Sequence, residues 1–65
     1  MITLTAPNGE KVLIDPKAVV EIYPNTGHTY HPKAKAVLVL GNAAHGIEHQ
    51  AVTESVDEVE TLIKG

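Results

Sequence analysis

Apolar and polar residues alternate over the first part of the chain. Over residues 1–6, Ile2 and Leu4 fall on one face and Thr3 and Thr5 on the other, which is the pattern of a half-buried strand. A Pro-Asn-Gly turn follows over residues 7–10, and Lys11–Ile14 returns as a second strand. The sequence therefore predicts a β-hairpin at the N-terminus.

Three further strands are predicted beyond this hairpin. Asp15 and Pro16 open a turn, with one 3₁₀ turn as an option, and residues 19–23 form a strand that Pro24 stops or confines to an edge. Residues 36–40 are aliphatic and indicate a strand that is central or covered on both faces, and residues 47–52 return from it.

The hydrophobic period changes to that of a helix near the C-terminus. Ser55 and Glu58 fit a capping box, and an apolar stripe with helical spacing follows. The predicted fold class is α+β, a small antiparallel β-meander of about five strands followed by one short C-terminal helix, in a single domain over residues 1–65. The predicted core contains Ile2, Leu4, Val12, Ile14, Val20, Ile22, Val37, Val39, Val59, Leu62 and Ile63.

Composition favours self-association. The chain has 65 residues, no Cys, no Phe and no Trp, so neither a disulfide nor a large aromatic core stabilises it. Oligomerisation is a common remedy for a domain this small, and we expect a homo-oligomer.

Charge and hydropathy exclude several partners. The formal net charge is −3, and all five basic residues counted as Lys or Arg are lysines. Without arginine, the commonest reader of bases, a nucleic-acid partner is not expected. No apolar run approaches the roughly 20 residues that cross a bilayer, and no signal peptide is apparent. We expect a cytoplasmic protein without a membrane partner.

Four histidines are the compositional excess, and they leave two interpretations open. They occur as two pairs, and with Glu48 they offer ligands for zinc or nickel if the pairs meet in space. The other interpretation is solvated loop histidines, because the spacing within each pair is not diagnostic of a metal site. The candidate metal ligands are His28, His31, His45 and His49.

The polar segment over residues 25–35 is a candidate contact loop for an acidic protein partner. It is the one locally basic stretch of an acidic chain, and Tyr30 provides an interface anchor. The alternative is a long connection in which Tyr30 covers the edge of the core. The candidate contact residues are His28, Tyr30, His31, Lys33 and Lys35. The strand over residues 36–40 is a second candidate, if it lies at a sheet edge.

Catalysis is not expected. Ser55 is the only serine and has a capping role, the carboxylates are scattered, and no phosphate-binding glycine pattern is present. The sequence predicts a non-enzymatic protein-interaction or regulatory accessory module, with a histidine-based metal-binding protein as the alternative.

Both ends of the chain resemble a known family. The N-terminal part resembles the small flagellar accessory family FlbD, also called SwrD, in Met-Ile-Thr-Leu-Thr over residues 1–5, Asn-Gly over residues 8–9, and Ile-Asp-Pro over residues 14–16 running into Val-Glu-Ile over residues 20–22. The C-terminal part is similar to the same family in Val-Thr-Glu-Ser-Val-Asp-Glu-Val over residues 52–59. The resemblance implies a short cytoplasmic protein without catalytic residues, linked to flagellar or swarming motility. An unrelated function on the same scaffold is the alternative, because a fold does not fix an activity.

Overall fold

The computed structural model describes residues 1–26, 32–42 and 46–65, which form antiparallel strands and one helix. This arrangement confirms the predicted α+β class. The elements are β1 (Ile2–Thr5), β2 (Lys11–Ile14), a 3₁₀ helix (Pro16–Ala18), β3 (Val19–Pro24), β4 (Ala36–Asn42), β5 (Gly46–Val52) and α1 (Val56–Lys64).

The N-terminal hairpin forms as predicted, with Leu4 on β1 opposite Val12 on β2. The Gly9 N–H donates to the Ala6 carbonyl at 2.9 Å. Gly9 has a φ of +92°, a conformation that glycine adopts without steric penalty. The Asn-Gly pair therefore sets this turn.

The five strands divide into two sheets, which the sequence did not predict. β1 pairs with β2, and the other sheet has the order β3-β4-β5. The central position of β4 confirms the first of the two alternatives for residues 36–40, a central strand. The condition for a docking site on residues 36–40, a position at a sheet edge, is wrong, because β4 has a neighbouring strand on both sides.

One face of the three-stranded sheet packs in the core. The buried cluster comprises Leu4, Ile14, Ala36, Leu38, Val52 and Val59. The Thr53 N–H donates to the Thr5 carbonyl at 2.8 Å, which ties the hairpin to the end of β5. The core thus lies between the two sheets and α1.

The helix begins at the predicted cap. The Ser55 hydroxyl accepts from the Glu58 N–H at 3.2 Å, and the Glu58 carboxylate accepts from the Ser55 N–H at 3.3 Å. Val56 and Ile63 pack against the buried cluster that contains Val59. The capping box therefore fixes the start of the helix that covers the core.

Two predicted core residues are wrong. Val20 is 69% exposed and Leu62 is 44% exposed. The β3–β4 register shifts between Val19 and Glu21, and this β-bulge breaks the alternation on which the prediction for Val20 depended.

The bulge turns Val19 and Ile22 toward the core instead of Val20. On α1, the buried stripe runs through Val56, Val59 and Ile63, and Leu62 lies about 100° around the helix from Ile63.

Within the described ranges, no helix is long and apolar enough to cross a membrane.

Candidate functional site

The three-stranded sheet has a second face, directed away from the core. Residues directly opposite each other on antiparallel strands share a face, so the register assigns the members of this outer face. They are Glu21 and Tyr23 on β3, Val37, Val39 and Gly41 on β4, and Ile47, His49 and Ala51 on β5. Val20 joins them, because a Cβ at Gly41 would lie 3.0 Å from its Cγ2.

Burial decreases along the outer face toward one end. Val37 is fully buried and Val39 nearly so, whereas Val20 is 69% and Ile47 68% exposed. Gly41 lies between these two aliphatic residues, opposite Ile47 and in reach of Val20. We call Val20, Gly41 and Ile47 the aliphatic row.

Polar groups border the aliphatic row. Glu21 lies opposite Val39 on one side, and His49 lies opposite Val39 on the other. Both residues are exposed. The outer face therefore presents exposed apolar surface beside a carboxylate and an imidazole.

The two edges of this sheet differ. β3 contains the bulge and ends at Pro24, and both features discourage another strand from pairing. β5 contains neither, and in the described part of the chain β4 is its one neighbouring strand. We call the side of residues 46–51 that points away from β4 the β5 edge.

The β5 edge is accessible at one end and closed at the other. Each residue from Gly46 to His49 is exposed. Beyond Val52, the Thr53 N–H is bonded to Thr5 of the hairpin. Access to the strand is therefore greatest over its first half.

Glu54 holds the closed end in place. Its Oε1 accepts from the Thr5 N–H at 2.9 Å. Burial acts to raise the pKa of Glu54, but the hydrogen bonds from Thr5 and from its own backbone, with the charge of Lys11, lower it below its ordinary value of 4.5. The carboxylate is thus favoured in its charged form, which fixes the hairpin beside β5.

One of the four candidate metal ligands can be placed. His49 is exposed on the outer face, opposite Val39, whereas His28, His31 and His45 lie outside the described residues. Among residues 1–26, 32–42 and 46–65, no three His, Asp or Glu side chains are grouped to hold a metal ion. Zinc or nickel binding stays a prediction.

The base of the candidate contact loop is ordered by hydrogen bonds. Asn25 donates from its N–H to the Lys35 carbonyl at 3.1 Å and from Nδ2 to the Ala34 carbonyl at 3.0 Å. Lys33 and Lys35 are exposed. Since Pro24 pairs with Ala36, the loop leaves the sheet at the end opposite the aliphatic row.

The other members of the candidate contact loop, His28, Tyr30 and His31, lie outside the described residues. Contact of this loop with an acidic partner stays a prediction.

The helix carries a shallow depression of its own. Asp57, Glu58, Thr61 and Leu62 line it. All four belong to one exposed side of α1, and none is among the site residues that the sequence predicted. Because its lining residues all belong to α1, the depression does not bring together side chains from two elements, as a catalytic site would.

Sequence reasoning missed the aliphatic row, and the outward direction of Ile47 follows only once the burial of Val52 is known. Val52 is fully buried, and Ile47 lies an odd number of residues before it. Side chains alternate along a strand, so burial of Val52 directs Ile47 outward. Val20 points outward because of the bulge, and no local sequence pattern predicts that bulge.

Comparison with known proteins finds no matching family model, no matching curated protein and no matching solved structure.

Proposed function

We propose that the chain is a non-enzymatic protein-interaction module, of regulatory or accessory kind, that binds another protein through the outer face of its three-stranded sheet. The observation that carries the proposal is the aliphatic row, in which Val20 and Ile47 are each more than two-thirds exposed. A clustered apolar surface bordered by polar residues is typical of protein contact sites.

The side chains of the aliphatic row can contribute free energy to binding, because folding leaves them exposed. Covering a Val or Ile side chain fully contributes about 1.5–3 kcal/mol. The bulge directs Val20 outward although Val19 beside it is turned to the core. A partner that covers the row gains this apolar contact without disturbing the core.

The polar groups at the border of the row indicate the chemistry of the partner. Glu21 is exposed on the β3 side and His49 on the β5 side. We infer a partner with an apolar ridge and a Lys or Arg side chain placed to reach Glu21, since such complementarity selects orientation and partner.

The resemblance at the chain ends suggests flagellar or swarming motility as the setting. The residues that carry it are turn, strand and cap residues, such as Gly9 and Ser55, and Val20 is the one among them that belongs to the aliphatic row. Gly41 and Ile47, the other two members of the row, lie outside the resembling segments, so the proposed contact surface rests on the exposure of the aliphatic row.

Site-specific photo-crosslinking in the cells that produce the protein tests the proposal. A photoreactive amino acid is placed at Val20, and the matched control is Leu13, which is 66% exposed on a different sheet. We expect a discrete protein adduct from position 20 and only background from position 13. Equal labelling from both positions, or none from position 20, would contradict the proposal.

Binding by the purified partner provides the second arm. The variant Val20→Glu places a charge in the aliphatic row, and Leu13→Glu places the same charge on the hairpin. The proposal predicts that only the first weakens binding, with melting curves alike for the two variants. Equal weakening would mean that charge, and not the outer face, governs the contact.

A further inference from the structure

We propose that the β5 edge pairs antiparallel with the β5 edge of a second copy of this chain, with His49 of each copy on the two-fold axis. The result is one continuous six-stranded sheet. The inference rests on the proposed function, in that both treat the chain as an interaction module. It uses the strand edge, however, and not the outer face.

The contrast between the two edges indicates which strand accepts the second copy. An open strand edge is a template for pairing unless proline, a bulge or a covering element blocks it. β3 has both Pro24 and the bulge. β5 has neither, and Gly46 to His49 are exposed. Strand addition is therefore directed to β5.

Two-fold symmetry leaves few registers. Residues that lie opposite each other share a face of the sheet, so the axis must pass through a residue position, and the candidates near the middle of the edge are Glu48, His49 and Gln50. Larger shifts shorten the pairing, so one of these three gives the longest ladder.

An axis at Glu48 is disfavoured by charge. It places Glu48 directly opposite Glu48 of the second copy, and like charges in that position destabilise a strand pair. It also places Ile47 opposite His49, an apolar residue beside a polar one.

An axis at Gln50 is disfavoured by the hairpin. It requires Ile47 of the second copy to lie opposite Thr53, whose N–H is already bonded to Thr5. It also places Glu48 opposite Val52, which is fully buried in the core. Pairing in this register would displace β1.

An axis at His49 avoids both conflicts. Glu48 lies opposite Gln50 of the second copy, whose amide has two N–H donors. One of them already reaches the Ala51 carbonyl at 2.9 Å, and the other is available to the carboxylate. Ile47 lies opposite Ala51 of the second copy, so that an exposed Ile gains an apolar neighbour.

This register also enlarges the outer face. Edge-to-edge pairing keeps the faces of the two sheets continuous, so both aliphatic rows lie on the same side of the six-stranded sheet. Because Val20 is on the far strand of each sheet, it stays uncovered in the dimer. Homodimer formation and binding of another protein are therefore compatible.

Single-cysteine crosslinking reads the register directly, because the native chain contains no Cys. Cα atoms of opposite residues in an antiparallel pair are about 4.5–5.5 Å apart, inside the range that a disulfide spans. In the proposed register, residue 48 or 50 is offset from its own copy by two residues, about 7 Å along the strand, which is too far. The variants are His49→Cys, Glu48→Cys, Gln50→Cys and the control Leu13→Cys.

We expect His49→Cys to form a disulfide-linked dimer more than about tenfold faster than the other three, because pairing raises the local thiol concentration from micromolar to millimolar. Sedimentation of the unmodified protein should show a reversible dimer.

If Glu48→Cys or Gln50→Cys forms the disulfide-linked dimer fastest, the proposed register is wrong. A monomer at all concentrations, or equal rates in the four variants, would overturn the pairing itself. If position 20 still crosslinks to another protein, the proposed function stands after either of these results. If the dimer forms but position 20 labels no protein, the proposed function is wrong and the strand pairing stands.

Discussion

Neighbouring residues of the same strands form the two faces of the three-stranded sheet, and the two faces differ in how far their side chains are exposed. On the core face, Leu38 and Val52 are fully buried against the hairpin and the helix. On the outer face, Val20 and Ile47 are largely exposed. Because Val37 and Val39 on the same outer face are buried, the contrast is between the core face and the one end of the outer face that carries the aliphatic row. That end is left for contact with partners.

The largest effect is expected from truncation in the core. Leu4→Ala removes a fully buried side chain and should lower the free energy of unfolding by about 2–5 kcal/mol. Leu13→Ala, in the same hairpin but 66% exposed, should change it by less than about 0.5 kcal/mol. Denaturant unfolding measures both, and similar losses would contradict the difference between buried and exposed positions.

The next effect tests how the helix is held over the core face. Ser55→Ala removes the hydroxyl that accepts from the Glu58 N–H and should cost about 1 kcal/mol. Thr61→Ala removes an exposed hydroxyl that bonds the Asp57 carbonyl and is the control. A thermal melt in which Ser55→Ala loses no more than Thr61→Ala would contradict the role of the cap.

A smaller, pH-dependent effect is expected at the junction of the two sheets. The pKa of Glu54 is lower in the folded chain than its ordinary value of 4.5, so its contribution to stability is present above that value and is lost as the pH falls through the lowered pKa. Because the side chain is partly exposed, Glu54→Gln should cost less than about 1 kcal/mol at neutral pH.

Unfolding curves recorded between neutral pH and the acid range provide the measurement for Glu54. The variant should lose less stability on acidification below 4.5 than the unmodified protein. Glu60→Gln, at an exposed helix position, is the control and should leave the pH profile unchanged. Parallel profiles for Glu54→Gln and the unmodified protein would refute the linkage.

The smallest effect on stability is expected on the outer face. Val20→Ser should change the free energy of unfolding by less than about 0.5 kcal/mol, because the side chain is largely exposed. The same variant should weaken binding of the protein captured from position 20. A large loss of stability would mean that Val20 belongs to the core after all.

Local chemistry explains what the sequence could predict. The Asn-Gly turn, the Asp15 turn and the Ser55 capping box each depend on residues within four positions of one another, and all three form as predicted. In the same way, the aliphatic run over residues 36–40 predicted a strand that is central or covered on both faces, and β4 lies in the centre of its sheet.

Long-range contacts explain what the sequence could not predict. The exchange of Val19 for Val20 in the core depends on the register of β3 against β4. The placement of the hairpin beside the end of β5 depends on Thr5 meeting Thr53. The candidate site depends on both, because the bulge exposes Val20 and the strand order leaves β5 at an edge.

Native mass spectrometry of untagged protein, purified without chelator, tests most directly whether protein contact is the role of this chain. The account predicts masses of a homodimer, or of a complex with another protein, that do not change when a chelator is added. A monomer that carries one zinc or nickel ion, and loses its fold with the metal, would contradict the account and favour the histidine-based alternative.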